Sequence, residues 1–223
     1  DSKKRYVIPG DVITTAPLRL RENVALDGKR ISSTAIGLSD VSYDSVRVIS
    51  LSGIYLPKVD DLVIGMIKYI HGNSWFADIN SCYEGMLLAK DVFGRGSNPK
   101  LDDMKARLGK SDLILARVAN FDRTREPLLS IAGQNLGKID SGELIKISPT
   151  KVPRLIGKHG SMIQTIEAAT NANITIGQNG LVILKSDNSV GLKKAVISIK
   201  NMTTTLDDSN LEEKIQKFLD ENN

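Results

Sequence analysis

Residues 155–166 read LIGKHGSMIQTI. Two glycines bracket a lysine and a histidine, and apolar residues at helical spacing lie on both sides. A joint between two helices needs at most one glycine, which takes the left-handed conformation where the first helix ends. The second glycine calls for another reason, and close approach of a ligand backbone is the one that fits a basic loop. Ile156, Gly157, Gly160, Ile163 and Ile166 together complete the pattern I-G-x-x-G-x-x-I-x-x-I.

The surrounding elements agree with this reading. GELIKI (142–147) reads as a strand, TKVPRLI (150–156) as a short helix stopped by Gly157, and SMIQTIEAAT (161–170) as a second helix. ANITI (172–176) and LVILK (181–185) read as strands, and SVGLKKAVISIKNM (189–202) as a closing helix. The order β-α-α-β-β-α and the double-glycine pattern resemble a type I KH domain, spanning 138–205. KH modules clamp about four nucleotides of single strand on the G-x-x-G loop. In that reading Gly157 ends the first helix with positive φ and Gly160 admits the sugar-phosphate backbone. Ser161 caps the second helix, with Gln164 completing a capping box. The helix N-terminus offers free N–H groups to a phosphate. Lys158 adds a full charge, and Lys151 and Arg154 line the approach. Ile156, Met162 and Ile174 are candidates for the apolar floor under the bases, and each also suits a core position. His159 either stacks on or hydrogen-bonds to a nucleotide, or is an exposed loop residue without a role.

Charge singles out the same segment. The chain of 223 residues has a formal charge of +4, distributed as +2 over 1–60, +1 over 61–137, +5 over 138–205 and −4 over 206–223. Lys146, Lys151, Arg154 and Lys158 fall where no acidic residue occurs between Glu143 and Glu167. One-sided charge beside a double-glycine joint is the footprint of a polyanion site. Elsewhere the composition, 41% apolar and 25% charged, is ordinary for a soluble protein, with no membrane span or signal peptide. The start, DSKKRYVIPG, lacks an initiating methionine and suggests a processed chain. The single Cys82 excludes an internal disulfide and a multi-cysteine zinc site, and suits a reducing cytoplasm.

Working back toward the N-terminus, residues 1–60 read as short strands: RYVI, NVAL joined to KRISSTAIGL through Asp27 and Gly28, and SVRVISL. This is a small β domain, with Pro57, Asp60 and Asp61 marking its end. Residues 61–137 show five strand signals, LVIGMIKYI, SWFADIN, EGMLLAKDV, DLILARVANF and LLSIAG, with a partly helical crossing after the third. That order fits a five-stranded OB-type barrel. DDLVIGMI and LLSIAG resemble the first strand and the ending of an S1-type RNA-binding barrel, although the usual stacking aromatics are partly replaced by Asn73, Trp75, Phe76 and Leu88. Trp75 is a candidate stacking platform, with a core position as the competing reading. Arg95, Lys100, Arg123 and Arg125 are candidates to track phosphates. Residues 206–223 form an acidic tail compatible with an amphipathic helix that packs on a neighbour or frays.

A small N-terminal β domain, an S1-type OB barrel and one KH domain resemble the RNA-binding cap subunit of the archaeal exosome, the ribosomal-RNA-processing-protein-four family. The resemblance rests on VIPGD near the start, AIGL, VRVISLSGIYLPKVDDLVIG, WFADINS and VPRLIGKHGSMI. It implies a noncatalytic cytoplasmic subunit without cofactor or metal. Three copies would form a cap on a hexameric ring of phosphorolytic exonuclease subunits and feed single-stranded RNA, A-rich tails included, 3′ end first for degradation and processing. Ile54, Tyr55, Leu56 and Val59, set around a rigid proline, are candidates for docking onto the ring. The alternative is an S1/KH transcription or translation factor acting on nascent RNA. No catalytic constellation is expected: His71 and His159 fall in different predicted domains and Cys82 has no evident histidine partner.

Overall fold

In the computed structural model, residues 4–51, 53–94 and 96–204 are described. The chain divides into two compact units, and the division falls between Gly53 and Ile54. The boundary expected near residue 60 therefore moves upstream. The reason is Tyr55, which is only 6% exposed among barrel residues. Its backbone bridges to Ser81, whose hydroxyl donates to the Tyr55 carbonyl at 2.8 Å. Punctuation at Pro57 and Asp60 marks a bend within the second unit.

The N-terminal unit is built of seven short strands, β1 (Arg5–Val7), β2 (Val12–Thr14), β3 (Arg19–Leu20), β4 (Val24–Asp27), β5 (Arg30–Ser33), β6 (Gly37–Val41) and β7 (Ser45–Ser50). They form two sheets, ordered β1-β6-β7-β3 and β2-β5-β4. The β4–β5 hairpin expected through Asp27 and Gly28 is present, with Asp27 opposite Arg30. Residues 29–38, expected to form one strand, form two, because the chain bends at 34–36 to pass from one sheet to the other. Period-2 alternation turns Val7, Val46 and Val48 inward. It turns Tyr6, Leu38 and Ile49, which are opposite one another across three strands, outward.

The barrel of the second unit comprises β8 (Leu62–His71), β9 (Ser74–Asp78), β10 (Glu84–Leu88), β11 (Leu113–Asn120) and β12 (Leu128–Ser130). Helices α1 (Ala89–Phe93) and α2 (Leu101–Arg107) form the crossing after the third strand. The order β12-β10-β9-β8-β11 closes through a β11–β12 pairing, and β10 runs parallel to β12. This is the OB connectivity. Ala89, Lys90, Asp91 and Val92, read as the end of the third strand, are helical instead. A sixth strand, β13 (Gly137–Ile139), pairs with β11 and leads out of the barrel.

The KH unit follows the expected order: β14 (Glu143–Lys146), α3 (Val152–Ile156) after a 3-10 turn, α4 (Ser161–Thr170), β15 (Asn173–Ile176), β16 (Leu181–Lys185) and α5 (Ser189–Thr204). Its antiparallel sheet is ordered β14-β16-β15. One face packs on the helices through Ile145, Ile174, Val182, Leu184, Leu155, Ile166 and Ile199. The other face presents Leu181 and Ile183 to Ile64 and Leu115 of the barrel. The β15–β16 turn completes this junction. Strand β8 begins pairing with β9 only at Met66, so the β8 edge at Leu62–Ile64 needs other partners. Gln178 exchanges two bonds with Leu62: its N–H donates to the Leu62 carbonyl at 2.8 Å, and its Oε1 accepts the Leu62 N–H at 2.9 Å. Asn179, fully buried, donates Nδ2 to the carbonyls of Ile64 (2.7 Å) and Ile79 (2.8 Å) and accepts the Ile64 N–H at 3.3 Å. Among the described residues no helix is long and apolar enough to cross a membrane.

Candidate nucleic-acid interface

The double-glycine joint departs from a simple helix stop. Helix α3 closes at Gly157 (φ 72°, ψ −175°), whose N–H donates to the Pro153 carbonyl at 3.0 Å. His159 (φ 54°, ψ 25°) and Gly160 (φ 82°, ψ 9°) are also left-handed. The second glycine thus has a conformational reason as well as the access reason advanced from sequence. The two positions differ in surroundings. A Cβ on Gly157 would stand 2.8 Å from the Met162 Cβ and 3.0 Å from its backbone nitrogen, whereas one on Gly160 would meet nothing closer than Gln164 Nε2 at 4.0 Å. Gly157→Ala is therefore expected to cost both backbone strain and repacking, about 2–3 kcal/mol in chemical denaturation, and Gly160→Ala only the strain, about 1 kcal/mol. Equal losses would show that the clash at 157 is relieved.

The expected capping box is not formed. The N-cap position of α4 is Gly160, and no side chain caps the helix. Ser161 sits one residue inside, its carbonyl accepting the Thr165 hydroxyl at 3.0 Å. A glycine at the cap supplies no side-chain acceptor of its own to the first-turn N–H groups, the arrangement that suits an anion.

The other KH candidates separate by burial. Met162, 3% exposed, and Ile174, 8% exposed, belong to the core with Leu155 and Ile166, which corrects Met162 as a contact residue. Ile156 is half-buried against the same cluster, and His159 is exposed on the turn Lys158–Gly160. Lys151 Nζ donates to the Thr203 carbonyl and ties the start of α3 to the end of α5. Arg154 is half-buried on α3.

On the barrel, Trp75 is fully buried, donates Nε1 to the Leu108 carbonyl at 2.9 Å and stacks on Phe93. It is a core residue, which corrects its reading as a stacking platform. Alternation along β9 sends the next residue, Phe76, outward instead, where it stacks on Tyr69 with centroids 5.0 Å apart and planes 12° from parallel. Tyr69, Phe76, Met86 and Leu128 are opposite one another across four strands. The Tyr69 hydroxyl donates to Glu84 Oε2 and Lys68 Nζ to Glu84 Oε1, both at 2.6 Å. These bonds hold the Glu84 carboxyl below the usual carboxylate range and push the Tyr69 hydroxyl up. The aromatic pair was missed as a site; the in-out alternation of WFAD was the signal that could have found it. Beside this row, a cavity of about 200 Å³ is lined by Met86, Leu88, Phe121, Asp122 and Arg125. Arg125 is thereby placed with aromatic and apolar groups and with the carboxylates of Asp122 and Glu126. Arg123 is exposed at φ 68°, and Lys100 heads α2, its N–H donating to Asp103 Oδ2 at 3.1 Å. Arg95 lies outside the described residues.

Of the docking candidates, Ile54, Leu56 and Val59 are 71%, 49% and 50% exposed. Tyr55 is not available for docking. Burial first, then its 2.7 Å hydrogen bond to Asp61, pushes the Tyr55 hydroxyl well above its ordinary pKa.

Comparison with known proteins agrees with these elements. The KH domain family model matches residues 142–201. The chain is 53% identical over 218 residues to the exosome complex component Rrp4 of Nitrosopumilus maritimus, covering 98% of this chain and 96% of that relative. It is 37% identical over 220 residues to the protein of the same name from Aeropyrum pernix, covering 97% and 93%. A crystal structure described provisionally as an exosome complex RNA-binding protein matches with a TM-score of 0.72 at 41% identity, over 76% of this chain and 97% of that one. Sustained over nearly its whole length, this similarity means that the chain belongs to the Rrp4 family of exosome complex components.

Proposed function

We propose that the protein is a noncatalytic RNA-binding cap subunit of an exosome, holding single-stranded RNA and delivering it 3′ end first to a hexameric phosphorolytic nuclease ring, with two further copies completing the cap. The observation that carries this reading is the left-handed Gly157–Gly160 joint on a chain of the Rrp4 family. An uncapped ten-residue helix start, a basic loop and an exposed histidine meet there, and together they suit a phosphate backbone. The Tyr69–Phe76 pair and Arg125 supply a second surface, of stacking rings and one cation. Docking is assigned to the N-terminal unit, whose outward Tyr6, Leu38 and Ile49 continue into exposed Ile8, Ile36 and Leu51. An apolar face of this kind on a small sheet marks a protein contact.

The test is the double variant Lys158→Asp, His159→Asp. It is expected to weaken binding of single-stranded RNA about tenfold or more, ~1.4 kcal/mol, with a salt-dependent loss and an unchanged melting temperature. The RNA recovered from wild-type incubations with magnesium and phosphate should keep its full length. Undiminished affinity in the folded variant would reduce the joint to a connection between helices, and shortening of the RNA that tracks a point mutation in this chain would overturn the noncatalytic role.

A further inference from the structure

A cleft of about 330 Å³ opens where the barrel meets the KH sheet, between β13 with the segment after it and the helix-free face of β15 and β16. Its volume is at the lower end of small-ligand sites, about 300–1,000 Å³. The floor is apolar: Leu115, Leu136 and Ile183 continue the cluster that joins the two folds. Above it stand Ser141, Asn173, Thr175 and Lys185, whose side chains make no hydrogen bond or ion pair among the described residues. Lys138 and Asp140 also line the cleft, and the Lys138 ammonium is held by Asp112 at 2.6 Å. An apolar floor with amide and hydroxyl groups above it suits a nucleobase. The carboxylate of Asp140 turns phosphate away from its own end and leaves Lys185 as the cation for it.

We propose that this cleft is a further nucleotide subsite, which receives one base of a single-stranded RNA whose neighbouring phosphates lie on the double-glycine joint. The inference rests on the RNA-binding reading of that joint. Strand β15 makes the connection. It is the outer strand of the KH sheet, with Ile174 and Ile176 turned to the helices and Asn173 and Thr175 turned to the cleft. A strand of RNA crossing the outer edge of β15, where Glu167 Oε1 accepts the Ile174 N–H at 2.7 Å, passes from the helix side to the cleft. A KH joint alone engages about four nucleotides, so occupation of the cleft lengthens the footprint.

The experiment compares a four-nucleotide and a ten-nucleotide single-stranded RNA by fluorescence anisotropy on the full chain. Lys185→Glu and Asn173→Ala are each expected to weaken the ten-mer about fivefold and leave the four-mer unchanged, with melting temperatures matching wild type. The Lys158→Asp, His159→Asp variant should weaken both lengths. Unchanged ten-mer affinity in both cleft variants would overturn the subsite while leaving the joint intact. So would a loss confined to Lys185→Glu, which would mean general charge attraction rather than a bound base, and so would equal losses at both lengths. A wild-type protein that binds neither RNA would refute the joint, and the subsite with it.

Discussion

Replacing Asn179 by leucine is expected to destabilise the second unit by about 4 kcal/mol in chemical denaturation, because three buried backbone groups lose their partners at once. The amide satisfies both the N–H and the carbonyl of Ile64 and the carbonyl of Ile79, and it is fully buried. Each orphaned group costs roughly 1–3 kcal/mol, and the added apolar surface of leucine offsets only part of this. Gly177 holds the turn so close to the barrel that a Cβ there would lie 2.3 Å from Asn179 Oδ1 and 2.9 Å from the Ile64 nitrogen. A loss below about 1 kcal/mol would show that water or a shifted turn replaces the amide.

Removing residues 1–53 is expected to abolish co-sedimentation with the nuclease ring while single-stranded RNA binding by residues 54–223 stays within about twofold of the full chain. The cut is placed before Ile54 because the Tyr55 ring belongs to the barrel core and its hydroxyl holds Asp61. A deletion reaching Tyr55 would damage the barrel and confuse the two effects. The less disruptive variant Ile49→Glu introduces charge into the outward row of Tyr6 and Leu38 and should weaken co-sedimentation in an otherwise intact chain. If the truncated protein still assembles at full stoichiometry, docking belongs to the barrel or the KH unit.

The KH order was legible because its signals are local: glycines at fixed spacing, a 3.6-residue period in α4 and α5, and short apolar runs in β15 and β16. The barrel order was legible for the same reason. Strands β2 and β3 escaped because three and two residues carry no measurable alternation. The capping box failed because Gly160, already left-handed, occupies the cap that Ser161 was to fill. Trp75 was weighed by residue type, whereas its neighbour Phe76 is the outward ring and only the pleat distinguishes them. The Asn179 clamp left no local trace at all. Its partners are 115 and 100 residues away, and Gly-Gln-Asn-Gly alone reads as a hairpin turn.

Because the segment from Ile54 to Asp61 is fastened to the barrel by Tyr55, Ser81 and Asp61, it does not act as slack between the two units. The division between the two units falls just before Ile54. A glycine-serine insert at that point would leave every hydrogen bond described for either unit in place and would alter only how tightly a docked N-terminal unit confines the RNA-binding unit. Tether length there becomes a dial for effective concentration, which falls roughly as the −3/2 power of a flexible linker's length once the linker exceeds the span it must bridge.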